Sequence, residues 1–317
     1  MASSSTSHVF KRFSSSLTFT SRPAPPKAHL HFPQPASAFP KGFELTGVHA
    51  GVKKVLKPDL AVVISTEKRR KTAAAACFTR NVFKAAPVVV SNEILQQNGG
   101  YARAVVVNSG CANAVTGKQG MEDAWRMVKE TDKLLGKGEH EHQTLVMSTG
   151  VIGQNLPIEK IVQGIQNAPS TLSSSFEAWE NAAKAFMTTD TFPKLRSRVF
   201  SIGGVEYRLA GMDKGAGMIH PDMGPAGTVF TPRQLHATLL GCIMTDAFVS
   251  PRSLQSALTY AVDRSFNSIS VDGDMSTNDS IYLLANGAAA PEDAKIIDEE
   301  SNKEAYEIFK NELTEFA

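Results

Sequence analysis

Cysteine is scarce in this sequence. Cys77, Cys111 and Cys242 are few, far apart and odd in number, which argues against a disulfide scaffold or a zinc site and fits a reducing compartment. Long apolar runs are missing too. Nothing approaches the roughly 20 residues of a membrane-spanning helix, and Leu60-Ala61-Val62-Val63-Ile64 and Val88-Val89-Val90 have the length of buried strands. Charge of one sign is also lacking: 33 basic and 31 acidic residues leave a net charge of +2 with no basic stripe, so nucleic acid is not an expected partner. Acid is absent from the first stretch altogether. The first 40 residues hold nine Ser and four Lys or Arg, and the first carboxylate is Glu44. A Ser-rich, basic, acid-free leader is the composition of an organelle transit peptide. The start Met1-Ala2-Ser3-Ser4-Ser5 points to the plastid, so residues 1–39 are expected to be a disordered leader directing the protein to the chloroplast stroma.

From residue 40 onward the chain reads as a layered α/β or α+β sandwich, since short apolar strands alternate with amphipathic helices. Leu60-Ala61-Val62-Val63-Ile64-Ser65, Ala104-Val105-Val106-Val107 and Thr144-Leu145-Val146-Met147 are strand-like. Residues 120–135 predict a helix with Met121, Trp125, Val128 and Leu135 on one face. Residues 173–187, 253–266 and 302–313 predict three more, and Ser175 is placed to cap the first of these. Residues 199–202 and 205–209 flank Gly203-Gly204, a two-residue hairpin turn.

Several motifs fail on chemistry. Glu139-His140-Glu141-His142 spaces its histidines for zinc only on a strand with further ligands, and reads as a solvated loop. Asp272, Asp274, Ser276 and Asn278 mimic a calcium loop, but Thr277 stands where Gly is needed and Leu283 where a bidentate Glu is needed. Gly215-Ala216-Gly217 lacks the third glycine of a dinucleotide fingerprint. No metal and no resident cofactor is therefore expected.

Three small-residue segments remain: Asn108-Ser109-Gly110-Cys111-Ala112-Asn113, Ser148-Thr149-Gly150-Val151-Ile152-Gly153, and Lys214-Gly215-Ala216-Gly217 running on to Ala237-Thr238-Leu239-Leu240-Gly241 and Thr245-Asp246-Ala247. Each alone fits a tight turn. Together with Phe78-Thr79-Arg80-Asn81, Met187-Thr188-Thr189-Asp190-Thr191 and Val271-Asp272-Gly273-Asp274-Met275-Ser276-Thr277-Asn278-Asp279, they resemble the ornithine acetyltransferases, or glutamate N-acetyltransferases, over residues 40–288. The resemblance implies a self-processing N-terminal-threonine fold related to an aminopeptidase. It implies cleavage between Ala237 and Thr238, giving an α-region 40–237 and a β-region 238–317 that pair as a heterotetramer. A threonine at a new N-terminus carries its own base, because a free α-amino group titrates near about pH 8. Thr238 would then move acetyl from N2-acetylornithine to glutamate in arginine biosynthesis. The oxyanion hole is implied at Thr149 and Gly150, and substrate contacts at Thr188, Lys214 and Thr238. Acetyl-CoA is a further co-substrate for some members.

The sequence departs from that pattern. Thirteen residues, 224–236, stand where the family runs from the position of Met223 straight into Ala-Thr; with Pro225, Gly227 and Pro232 they read as a loop. They also supply a competing Gly227–Thr228 junction, but only Thr238 is followed by Leu240 and Thr245-Asp246-Ala247. The resemblance implies further substrate contacts in segments past Ala317, and Ala216 and Asp222 replace the usual Ser and Asn. Three readings stand: the acetyltransferase, a catalytically impaired form of it, and an N-terminal-nucleophile aminopeptidase.

Overall fold

The computed structural model of the protein describes residues 27–30, 33–227 and 238–317. Most of the leader, together with Thr228 and Ala237, lies outside the described residues.

Two sheets organise the chain. One has four strands in the order β1 (Phe43–Val48), β2 (Leu60–Ser65), β4 (Ala104–Cys111), β5 (Thr144–Val151). The other has six, ordered β6 (Lys194–Ile202), β7 (Val205–Lys214), β9 (Leu240–Thr245), β10 (Ser280–Ala285), β3 (Ala73–Thr79), β8 (Met223–Pro225). Neighbours are antiparallel except β4/β5 and β9/β10. Each parallel pair needs a crossover, and each has a helix: α2 (Gly117–Leu135) between β4 and β5, α5 (Pro251–Arg264) between β9 and β10.

Helices α1 (Ala86–Gln97) and α4 (Phe176–Phe186) each touch both sheets and are lodged between them. Helices α2 and α3 (Ile158–Asn167) cover the outer face of the four-stranded sheet, and α5 with α6 (Lys303–Phe316) cover that of the six-stranded one. The layering explains the strand composition. Every residue of β2 is buried because both its faces are covered. On β10, Tyr282 and Leu284 face the inner core while Ile281 and Leu283 face α5 and α6. The sheets also meet directly, where the Tyr282 hydroxyl donates to the Val146 carbonyl at 3.0 Å.

Local signals account for much of this. Ser175 caps α4, its hydroxyl accepting from Ala178 N–H. Gly203 and Gly204, at φ +58° and +80°, make the turn between β6 and β7. Two expectations fail. Val88-Val89-Val90 is not a strand but the first turn of α1, where Pro87, Val88, Ser91, Ile94 and Leu95 line a buried face at helical spacing. Packing between two sheets outweighs the strand preference of a valine run. Residues 224–236 are not loop from their start either: Gly224 and Pro225 extend β8 along the open edge of β3, with Phe78 opposite Gly224.

Residues on both sides of position 237 build one sheet. Strands β9 and β10 sit in its middle, between β7 and β3.

Strand β1 and helix α4 approach closely at Gly47. A Cβ on Gly47 would sit 2.0 Å from the Asn181 carbonyl oxygen. Gly47→Ala is expected to destabilise the fold by about 1–3 kcal/mol, read as a lower urea midpoint at unchanged slope. An unchanged midpoint would mean that α4 yields without cost.

Candidate active site

The parallel register of β4 and β5 sets Asn108 beside Ser148, Ser109 beside Thr149 and Gly110 beside Gly150. At Gly150 the chain runs at φ +132°, and a Cβ there would lie 2.3 Å from the Gly110 carbonyl carbon. Only glycine permits that approach. It turns the strand end outward just after Thr149, which is buried.

From the other sheet, β7 ends at Lys214, paired with Leu240 of β9. Lys214 is 3% exposed, and its ammonium donates to Thr149 Oγ1 at 3.3 Å and to the Thr238 carbonyl at 3.4 Å. Burial pulls its pKa below the ordinary lysine value, and the Asp190 carboxylate opposes that pull. Asp190 accepts from Thr188 N–H at 3.1 Å, Gly215 N–H at 2.9 Å and Lys194 Nζ at 2.8 Å, tying the Thr188 segment to the end of β7. These contacts hold its carboxyl below the usual range despite burial. Thr149, Gly150, Lys214 and Thr238 thus converge, and Thr188 lies on the loop beside them.

The nucleophile candidate is held from three directions. Thr238 Oγ1 donates to Ser276 Oγ at 2.7 Å. Its backbone nitrogen donates to the Met218 carbonyl. Leu239 N–H, next along the chain, donates to the Asp279 carboxylate. Asp279 is fully buried and its pKa is raised well above the usual range by burial. It also takes Ser276 N–H at 3.3 Å. Asn278 completes the turn: its amide donates to Ala112 O at 2.7 Å and Ser148 O at 2.8 Å, its own N–H to Ser276 Oγ at 2.9 Å. Thr79 Oγ1 donates to the Ser276 carbonyl at 2.8 Å.

Sequence reasoning took Ser276 and Asn278 as part of the family-like segment 271–279 and set them aside as calcium ligands, but gave neither a role in the site. The signal was present: four hydrogen-bonding side chains, Ser276-Thr277-Asn278-Asp279, lead into an apolar strand and are all buried. Asp272 has a similar task. It accepts from Met218 N–H at 2.6 Å and Ile219 N–H at 2.7 Å, fixing the carbonyl that holds Thr238.

The arrangement suits acyl transfer. A hydroxyl has a fixed acceptor, a backbone nitrogen lies beside it, and a buried hydroxyl with a glycine N–H stands near for a developing oxyanion. A cleft of about 510 Å³ lies elsewhere. Arg103 and Gln143 line it, just ahead of β4 and β5, at the end of those strands remote from Thr149.

The ArgJ family profile matches residues 44–317. The arginine biosynthesis bifunctional protein ArgJ, mitochondrial, of Coprinopsis cinerea is 74% identical over 315 residues, or 98% of this chain and 66% of its own length. Its counterpart in Laccaria bicolor is 72% identical over 311 residues, with 98% and 65% covered. The chain thus spans about two thirds of the length of these curated relatives. Among solved structures, the ornithine acetyltransferase of Mycobacterium tuberculosis complexed with ornithine superposes with a TM-score of 0.50 at 33% identity, over 60% of this chain and 96% of that one. These likenesses bear out the layered fold and the family resemblance. They overturn the plastid assignment, since both relatives are mitochondrial by name. The physical reason is plain: a Ser-rich, basic, acid-free leader is common to mitochondrial and chloroplast addresses, and a Met-Ala-Ser start does not separate them.

Ser276→Ala leaves Thr238 Oγ1 without its partner and is expected to slow attack by that hydroxyl about 10-fold. The readout is the rate at which purified chain splits into two fragments at residue 238. Splitting at the wild-type rate would show that Ser276 only packs.

Proposed function

The chain belongs to the ArgJ family, and from that premise we propose that it is an acetyltransferase moving acetyl from N2-acetylornithine to glutamate through an acetyl-Thr238 intermediate. The observation that carries this reading is the convergence of Thr238, Ser276, Lys214 and Thr149 from two sheets.

In the intact chain, Thr238 Oγ1 attacks the Ala237 carbonyl and the peptide C–N bond breaks. The resulting ester is hydrolysed, and Thr238 becomes an N-terminus. The freed amine is the nitrogen that Met218 O now holds beside Oγ1. An α-amine of pKa about 8 accepts the hydroxyl proton near neutrality. Thr238 Oγ1 then attacks the acetyl carbonyl of N2-acetylornithine. The tetrahedral oxyanion is received by Thr149 Oγ1 and Gly150 N–H, and the positive field of Lys214 reinforces that hole. Collapse breaks the C–N bond, the amine proton passes to the leaving nitrogen, and ornithine departs. Glutamate's amine attacks the acetyl ester in turn, giving N-acetylglutamate and restoring Thr238.

Thr188 lies beside Lys214 through Asp190 and serves the substrate. The two cleavage products stay together, because β9 and β10 are central strands of a sheet whose edges precede residue 237. Assembly of two such pairs into a heterotetramer and acetyl-CoA as a second acetyl donor are what the family resemblance implies, a mitochondrial location accords with the relatives' names, and all three belong to the same proposal.

Incubation with N2-acetylornithine and glutamate is expected to yield N-acetylglutamate, and Thr149→Ala is expected to lower kcat about 10²–10³-fold. Hydrolysis of peptides with no acetyl transfer would favour the aminopeptidase reading instead. An uncleaved chain inert to both would favour the impaired form.

A further inference from the structure

Lys214 already donates to the Thr149 hydroxyl and to the backbone carbonyl of Thr238, and is almost wholly buried. A carboxylate-bearing substrate would be served by a second cation nearer the solvent. The loop between β1 and β2 brings one.

The fully buried Asp59 organises that loop. Its carboxylate accepts from Ala50 N–H at 2.6 Å, Gly51 N–H at 3.2 Å and Lys53 N–H at 2.9 Å, with His49 Nδ1 3.1 Å away. Its carbonyl takes Ser109 N–H at 2.8 Å, which ties the loop to the end of β4. The result presses residues 52 and 53 onto Gly110: a Cβ there would lie 2.9 Å from Val52 Cγ1 and 3.4 Å from Lys53 Cγ. Gly110 is the residue beside Gly150. Lys53 thus passes along the glycine pair that shapes the oxyanion hole.

Its ammonium donates to the neutral carbonyl of Pro58 at 2.8 Å, with no carboxylate of the described residues in ion-pair range. Partial burial lowers its pKa to about 8, and it senses the charges of Asp59, Asp190 and Lys214. Asp59 is already occupied by three amides. This is a half-buried cation short of a counter-ion, within the field of two active-site residues, and an incoming carboxylate would relieve it.

We propose that Lys53 is a carboxylate-binding residue of the active site, taking the carboxylate of the amino-acid substrate beside the Gly110–Gly150 pair while Lys214 serves the reacting carbonyl. The inference rests on reading this site as one for amino-acid acetyl transfer. It assigns specificity to a loop outside the three small-residue segments.

The test compares wild type with Lys53→Met and Lys53→Arg in the full chain, after confirming equal self-cleavage and circular dichroism. With N2-acetylornithine, Lys53→Met is expected to raise KM about 10- to 100-fold at little change in kcat, and Lys53→Arg to recover most of the loss. With N-acetyl-1,4-diaminobutane, the same donor without its carboxylate, wild type and Lys53→Met are expected to be equal. Equal losses on both donors, or an unchanged KM, overturn the proposal. Calorimetry with glutamate gives a readout that needs no turnover: Lys53→Met is expected to bind at least about 10-fold more weakly. If that difference holds while neither protein transfers acetyl, the acetyltransferase reading falls and the role of Lys53 stands. Equal glutamate binding, or none by either protein, overturns the role of Lys53.

Discussion

The side-chain amide of Asn278 donates both its protons to backbone carbonyls of the segments that shape the proposed oxyanion hole, Ala112 and Ser148, while its neighbours Ser276 and Asp279 hold Thr238 and Leu239. That short buried turn joins the two sheets at the place where they must cooperate. Hydroxyl and glycine N–H come from β5, the proposed nucleophile from the segment entering the six-stranded sheet. A buried amide that lost either acceptor would carry an unsatisfied donor costing about 1–3 kcal/mol, so the two halves are held in one relative position. Nearby polar groups repeat the device: Ser148 Oγ donates to Asn108 Oδ1 at 2.6 Å, and Asn108 Nδ2 to Cys111 O at 2.9 Å.

Electrostatics derive from the same burial. Lys214 and Asp279 are both taken from water, which moves the lysine pKa down and the carboxyl up. Asp190 behaves oppositely, because two backbone amides and Lys194 hold its charge. The site therefore sets a stable anion in the field of a lysine whose charge costs energy, and Asp190 is the charge that most opposes the lowering of the Lys214 pKa. A cation held this way, close to Thr149, is of most use when a negative charge appears on the acyl oxygen.

Much of the scaffold was legible. The run 60–65 is β2 residue for residue, and the amphipathic stretch after Gly117 is α2, although its core line is Ala124, Met127, Val128 and Thr131 rather than Met121 and Trp125. Strand β4 was seen only in part, because its end, Asn108 to Cys111, has the small polar residues of a turn. Helix α1 was hidden by its valines. The three small-residue segments gave Thr149, Gly150, Lys214 and Thr238 through a family likeness. The polar run 276–279 hinted at a buried network, but the partners of Ser276, Asn278 and Asp59 were not legible, because each acts through residues 38 to 166 positions away or through the amides of its own loop. The leader's composition announced an organelle address without saying which.

The most direct measurement of the account is the mass of the fragment that begins at Thr238, taken before and after mixing with N2-acetylornithine in the absence of glutamate. The account predicts a fragment starting at Thr238 that gains one acetyl group on that residue and loses it when glutamate is added. A chain that stays whole, a fragment that begins at Thr228, or an acetyl group found on any other residue would contradict it.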